Sequence, residues 1–312
     1  MTLQAHHQTV KVQKMDNQKI KIRSHAKINL SLDVTGVREN GYHDVAMVMQ
    51  SIGLFDELTA EKNDTGEIRL SFAESDILQN TVLSAGPDNL VCKAARKFFE
   101  HTGLTDCGVN FVLKKNIPLE AGLAGGSTDA AAALKALNIL FETGLCTEDL
   151  CKAGAKIGAD IPFCVLGGTA LAEGIGEILT PLPQAPGCHL LIVKPHKGIS
   201  TRFAYDNLVL DESTPHPDTA GMINAIKKGD LSQMCEKLSN VLETVSIPAL
   251  PEIGEIKKKM LDLGALGSLM CGSGSTVFGI FTKKTNAEKA LTFFKENTDF
   301  LSLVTAFVNP AE

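Results

Sequence analysis

The chain has 312 residues, of which 44% are hydrophobic and 21% charged, and a formal net charge of −6. That length exceeds what one hydrophobic core usually fills, so two domains are expected; the acidic balance offers no concentrated basic face for nucleic acid, while small anionic ligands stay open through a local cluster. No run reaches the roughly 18 unbroken apolar residues that a membrane span needs, the nearest, 264–281, being interrupted by serines and glycines.

The first stretch, MTLQAHHQTVKVQKMDNQ, is polar and lacks the apolar core of a secretory signal. It reads as a disordered extension over 1–19, with Met15 as a candidate second start. IKIRSHAKINLSLDVTG alternates polar and apolar residues and ends in glycine, which predicts one or two strands. VMQSIGLFDELTAEK and EIRLSFAES add strand candidates, and NLVCKAARKFFEHTG places Leu90, Ala94, Ala95, Phe98 and Phe99 at helical spacing before Gly103. GVNFVLKKNI returns to alternation, and helices are expected at about 129–141 and 148–157. TALAEGIGEILTPLP reads as a hairpin leading into PLPQAPG, where the chain is divided into domains at 20–184 and 185–312. Beyond it HLLIVKP is a strand, DTAGMINAIKKGDLSQMCEKL and PEIGEIKKKMLDLGA are helical, GSLMCGSGSTVFGIF is a strand pair around a small-residue turn, and NAEKALTFFKEN is a helix. The fold class is α+β.

Eight cysteines, at 92, 107, 146, 151, 164, 188, 235 and 271, form no CxxC pair, so reduced thiols in a cytoplasm are expected rather than a disulfide frame or zinc site. The segment KKNIPLEAGLAGGSTDAAAALKAL sets several glycines directly before an alanine-rich helix former. Glycine lets a ligand approach the backbone, and the first turn of a helix leaves amide N–H groups without internal partners. Together they predict an anion cradle, with Ser127 or Thr128 at the helix N-cap. No GK[ST] follows, so this is neither a Walker loop nor a dinucleotide fingerprint. Lys114 and Lys115 read as a solvated pair. Asp160, after Gly-Ala and before Ile-Pro, reads from its context as a helix cap or turn residue. Lys27, in an apolar strand, must point to solvent or find a partner, and Asn29 shares its face.

PLEAGLAGGSTDAAAAL resembles the central motif of the galactokinase, homoserine kinase, mevalonate kinase and phosphomevalonate kinase (GHMP) superfamily. AKINLSLDVTGVRENGYHDVAMVMQSIGLFDEL, GADIPFCVLGGTALAEGIGEILTPL and MCGSGSTVFGIF narrow the resemblance to its 4-diphosphocytidyl-2-C-methylerythritol kinase family, from about residue 20 onward. The resemblance implies a ribosomal protein S5 domain 2-like first domain, which binds ATP, and a ferredoxin-like second domain. It implies transfer of a phosphoryl group from ATP to the 2-hydroxyl of the cytidine-tagged substrate, a small molecule of the non-mevalonate isoprenoid route, with Mg²⁺ accompanying the nucleotide. On the matching positions, Asp160 is the catalytic carboxylate and Lys27 its cationic partner. Pro118, Leu119, Glu120, Ala121, Gly122, Leu123, Ala124, Gly125, Gly126, Ser127 and Thr128 hold ATP, and Asn29, Tyr42, His43 and Tyr205 hold the substrate. The chain has no tryptophan and two tyrosines, Tyr42 and Tyr205, which the resemblance sets on either face of the cytosine, with His43 reading the base edge.

Three positions depart from the family pattern, one of them Thr128, which replaces a common serine and keeps the hydroxyl. Ala124 stands where many members carry glycine, which requires it to keep negative φ, and Cys271 replaces a hydroxyl residue and is expected to be packed and inert. Metal ligands are open: Ser127 directly, or Asp129 and Asp160 through water. A monomer or homodimer is expected, with no nucleic acid and no membrane as partner. Two other readings stay in view: a GHMP kinase of a smaller alcohol such as homoserine or mevalonate, which would not need Tyr42-His43, and a non-enzymatic nucleotide- or RNA-binding protein.

Overall fold

The computed structural model describes residues 12–14, 18–78 and 83–309. Strand β1 (Val12–Lys14) pairs antiparallel with β2 (Lys19–Val37), so part of the expected extension joins the sheet, while residues 1–11 and 15–17 lie outside the described residues. β2 and β3 (His43–Asn63) are single long strands where shorter ones were expected. Their alternation sends Ile20, Ile22, Ala26, Ile28 and Leu30 into the interior. Register shifts between His25 and Lys27, between Asn29 and Ser31, and between Val34 and Gly36 bend the ribbon. Such bulges re-aim side chains, here beside Lys27 and Asn29.

One long strand serves two arms. β4 (Ile68–Phe72), α1 (Leu90–Thr102) and β5 (Gly108–Lys114) follow, β5 pairing the far end of β3 and β4 pairing β5 in parallel. α1 is stopped cleanly: Asn89 Oδ1 accepts the Val91 N–H at 2.9 Å, and Gly103 is left-handed. α2 (Gly125–Leu140), α3 (Thr147–Ala155) and α4 (Ile161–Leu166) come next. The alanine face of α2 lets it lie close over the sheet, in a core with Phe98, Phe111 and Leu134. The hairpin of β6 (Thr169–Glu173) and β7 (Ile178–Pro181) joins the near end of β3.

The second sheet is led by β8 (His189–Lys194). After α5 (Thr201–Asp206), α6 (Thr219–Lys228) and α7 (Leu231–Glu236), the short β9 (Ser239–Asn240) returns to the first sheet, parallel to β2 at Ser31 and Leu32. The stretch 218–238, expected to be helical, is two helices divided at Gly229, whose φ of 68° ends α6. α8 (Glu243–Ala249), α9 (Glu252–Asp262), β10 (Gly267–Met270), β11 (Val277–Phe281), α10 (Lys284–Asn297) and β12 (Leu301–Ala306) complete the chain. The order β10-β11-β8-β12 is antiparallel throughout and has the ferredoxin-like arrangement, with α9 and α10 against one face, while Leu190, Ile192, Phe278 and Ile280 of the other face share a core with side chains of α6 and α7. The α+β expectation holds. Among the described residues no helix is long and apolar enough to cross a membrane.

Candidate active site

Lys27 sits just past a β2 bulge and is 5% exposed. A buried ammonium needs acceptors, and its Nζ donates to Asn29 Oδ1 at 2.9 Å and lies 3.6 Å from Asp160 Oδ2. Asp160 precedes α4 in right-handed conformation, yet its side chain caps no helix N–H. The carboxylate is turned toward Lys27 instead. Asn29 also donates to Met47 Sδ at 3.3 Å, which holds its carbonyl toward the lysine.

Over this pair opens a cleft of about 620 Å³, lined on one side by residues 118–127 and on another by Tyr42, His43 and Tyr205. Lys27 and Asp160 line it too; Asn29 and Thr128 stand behind its wall. The hairpin tip is fixed by the Arg38 N–H donating to Tyr42 O at 2.7 Å and by Arg38 pairing with Asp44 at 2.6 Å. That leaves the Tyr42 ring 58% exposed. His43 packs on Tyr205 of α5 with ring centroids 5.0 Å apart and planes tilted by 52°. Burial, and then the Asp160 carboxylate, keep the Tyr205 phenol above its ordinary pKa and so protonated.

The glycine loop enters its helix four residues earlier than expected. α2 starts at Gly125, and its N-cap is Ala124 with φ 58° and ψ 29°, so neither Ser127 nor Thr128 caps it. The Thr128 hydroxyl donates to Gly125 O at 2.8 Å, and the Thr128 N–H is the first to reach back, to Ala124 O. The amides of Gly125, Gly126 and Ser127 are therefore left without helical partners, at the cleft. The expectation that Ala124 keeps negative φ is corrected: the chain turns from loop to helix through the left-handed region there, at about 1–2 kcal/mol for an alanine.

Two further readings change. Lys115 is not solvated but 1% exposed, between Asp56 and Asp129. Asp129 is buried in that cluster and does not line the cleft. Cys271 is fully buried and its thiol is pushed up by burial, in line with an inert side chain.

The opposite wall is formed by Thr201, Arg202, Gly272 and Ser273, none of which was singled out as a site residue in the sequence. Thr201 and Ser273 hydroxyls are 3.1 Å apart, and Asn240 donates to Met270 O and to Gly272 O at 3.1 and 2.8 Å. The small-residue run CGSGS was the available signal. Gly122 (φ 70°) seats the loop against this wall: a Cβ there would fall 2.0 Å from Cys271 O. Gly122→Ala is expected to lower stability by about 2–4 kcal/mol, the left-handed penalty plus overpacking. Urea unfolding followed by circular dichroism checks this; an unchanged midpoint would show that the seat is soft.

Among the described residues no group of three or more His, Cys, Asp or Glu side chains could hold a metal ion. Asp160 and Ser127 are among the oxygen donors that line the cleft, with Glu120 and Asp206, and such donors suit an ion carried in on phosphates, since Mg²⁺ keeps water and takes one or two protein ligands.

Residues 89–168 match the model of the GHMP kinases N terminal domain and residues 222–299 that of the GHMP kinases C terminal domain. The chain is 49% identical over 276 residues to a 4-diphosphocytidyl-2-C-methyl-D-erythritol kinase of Lachnoclostridium phytofermentans, covering 88% of this chain and 92% of that one. It is 45% identical over 268 residues to the enzyme of that name from Acetivibrio thermocellus, covering 86% and 92%. Among solved structures, a 4-(cytidine 5'-diphospho)-2C-methyl-D-erythritol kinase superposes with a TM-score of 0.74 at 30% identity, over 93% of this chain and all of that one. A homoserine kinase from Cytophaga hutchinsonii shares the fold, with a TM-score of 0.76 at 21% identity over 96% of this chain and 97% of that one.

Proposed function

The chain belongs to the 4-diphosphocytidyl-2-C-methyl-D-erythritol kinase family of the GHMP kinases, and from that membership we propose how its cleft works. It is an ATP-dependent small-molecule kinase. The reaction is phosphorylation of the 2-hydroxyl of 4-diphosphocytidyl-2-C-methyl-D-erythritol, giving the 2-phosphate and ADP. The observation that carries the site reading is the Lys27–Asp160 pair, 3.6 Å apart on the floor of a cleft that has an amide-rich loop at one end and exposed aromatic surface at the other.

In this reading Asp160 accepts the proton of the substrate hydroxyl as its oxygen attacks the γ-phosphorus, and the bond to the ADP oxygen breaks. Lys27 offsets charge developing on the transferred group, and Asn29 aims it. The free amides of Gly125, Gly126 and Ser127 receive phosphate oxygens, and residues 118–124 shape that cradle. Mg²⁺ brought in with the nucleotide would be held by Asp160 and Ser127 and would supply neutralisation of phosphate charge. The division at residue 184 separates an ATP-binding half from a second half that closes the cleft. Free thiols at all eight cysteines suit a cytoplasmic, reducing setting.

Tyr42 takes the cytosine face on its exposed ring, while Tyr205 holds His43 in place for the base edge. Smaller alcohols do not need this surface, which favours the cytidine-tagged substrate over a homoserine- or mevalonate-type acceptor. Stacking on an aromatic ring is worth about 1–3 kcal/mol per base, so Tyr42→Ala is expected to raise KM for the cytidine substrate by about 5- to 150-fold. KM for ATP should hardly move. A coupled ADP-release assay with both substrates varied tests this; equal turnover of homoserine or mevalonate would overturn the substrate assignment.

A further inference from the structure

Helix α5 runs along the cleft from its reactive end toward its aromatic end. At its start the Thr201 and Ser273 hydroxyls meet, and Ser273 follows Gly272, where a Cβ would lie 3.6 Å from Lys27 Nζ. One turn on, Tyr205 packs against His43. A substrate with its hydroxyl at Lys27 and its base at His43 thus lays its middle beside α5. In a cytidine-tagged alcohol that middle is a diphosphate, with a negative charge on each phosphate.

Two such charges call for a cation within reach. The charge-bearing side chains that line the cleft are Lys27, His43, Glu120, Asp160, Arg202 and Asp206. Three are carboxylates, and Lys27 is engaged by Asn29 and Asp160. Arg202 is the one further Lys or Arg side chain among the described residues of the lining, and it stands three positions before Tyr205 on the same helix face. Its side chain is 90% exposed, and Nε donates to Asp206 Oδ2 at 3.2 Å, one turn along the helix. An exposed i,i+4 pair of this kind changes an equilibrium by only about twofold, whereas the planar guanidinium meets two phosphate oxygens at once. The diphosphate wins that competition.

We propose that Arg202 binds the diphosphate of the cytidine substrate, its guanidinium passing from Asp206 to the phosphate oxygens as the substrate enters. This rests on the functional reading above, in which Tyr42 and His43 take the base and Lys27 and Asp160 face the hydroxyl. The Thr201–Ser273 and Tyr205–His43 contacts hold α5 at either end, so the guanidinium moves on a fixed helix. The acceptor is then recognised by its charged linker as well as by its base. A nucleoside lacking phosphates gains nothing from this residue, and ADP has its own place on the free amides of the glycine loop.

The test is calorimetry on the full chain, as wild type, Arg202→Ala, Arg202→Lys and Asp206→Asn, with CDP, cytidine and ADP as probes. Wild type is expected to bind CDP about 5- to 20-fold more tightly than cytidine, the lower end for a hydrogen-bonded charge pair because the arginine stays partly in solvent. Arg202→Ala should lose most of that preference while its Kd values for cytidine and ADP hold. Arg202→Lys keeps the charge without the fork and should recover only part of it. Asp206→Asn separates ligand binding from bracing of the helix. It removes the competing carboxylate, so CDP should bind about 2- to 5-fold more tightly; if the ion pair merely braces α5, the same change weakens CDP as Arg202→Ala does, and that result overturns the proposal. So do a wild type without the preference, an Arg202→Ala variant with an unchanged CDP Kd, and equal losses of CDP and cytidine. Binding is read without turnover, so an Arg202-dependent preference for CDP in a protein that phosphorylates no cytidine substrate sinks the functional reading alone. Turnover of that substrate with a KM indifferent to Arg202→Ala sinks the diphosphate role alone.

Discussion

Asp160→Asn should lower kcat by about 10²- to 10⁴-fold, the range for removing a general base, with KM for ATP little changed. Asparagine keeps the shape and a hydrogen-bonding oxygen but cannot accept the hydroxyl proton. It also strips Lys27 of the carboxylate 3.6 Å away, leaving the ammonium only Asn29. Lys27→Ala should cost about 10²- to 10³-fold, the scale for one charge stabiliser. Because the two act as a unit, the double variant should be hardly slower than the worse single one. Coupled ADP release with the cytidine diphosphate substrate measures all three, and a near-wild-type rate for Asp160→Asn would remove that carboxylate from the chemistry.

Lys115→Met should destabilise the protein by about 3–5 kcal/mol, since it leaves the buried Asp56 and Asp129 side chains without their cation. Its pH dependence has a definite sign. Asp129 already has a carboxyl pKa raised above that of an unfolded chain, so the folded state binds the extra proton. Stability therefore falls as pH rises from the ordinary aspartate range toward about 8, and levels off above it. Without Lys115 the carboxyl is pushed up further, so that fall should run on to higher pH. Urea midpoints at pH 5.5 and pH 8 check it: the gap between variant and wild type should be wider at pH 8, and equal gaps would show that no buried charge is at stake.

Much of the framework was legible because it is periodic. Alternation in β2, the short apolar run of β8 and the apolar face of α1 each act within a few residues, so pattern exposes them. The glycine loop announced an anion cradle because amide supply at a helix start is a local property. Lys115 was misread because its partners lie 59 residues before it and 14 after it, and only the fold brings them together. Ala124 defied the steric preference of its type because the entry to α2 needs a left-handed residue at that point. The short α4, α5 and α7, of six residues each, are too brief for a 3.6-residue period to declare itself. The wall around Thr201 and Ser273 joins residues 72 apart through hydroxyls that are unremarkable in sequence.

The brief return of Ser239–Asn240 to β2 bears on how the enzyme is born. Asn240 then clasps the carbonyls of Met270 and Gly272, and Phe307 bridges to Ile52. A ribosome that has released the first two hundred residues has already made Lys27, Asp160 and the whole nucleotide cradle, yet the wall facing them is still unsynthesised. Catalytic competence should thus appear late in translation and all at once, and two polypeptides split near residue 187 should each be silent until mixed.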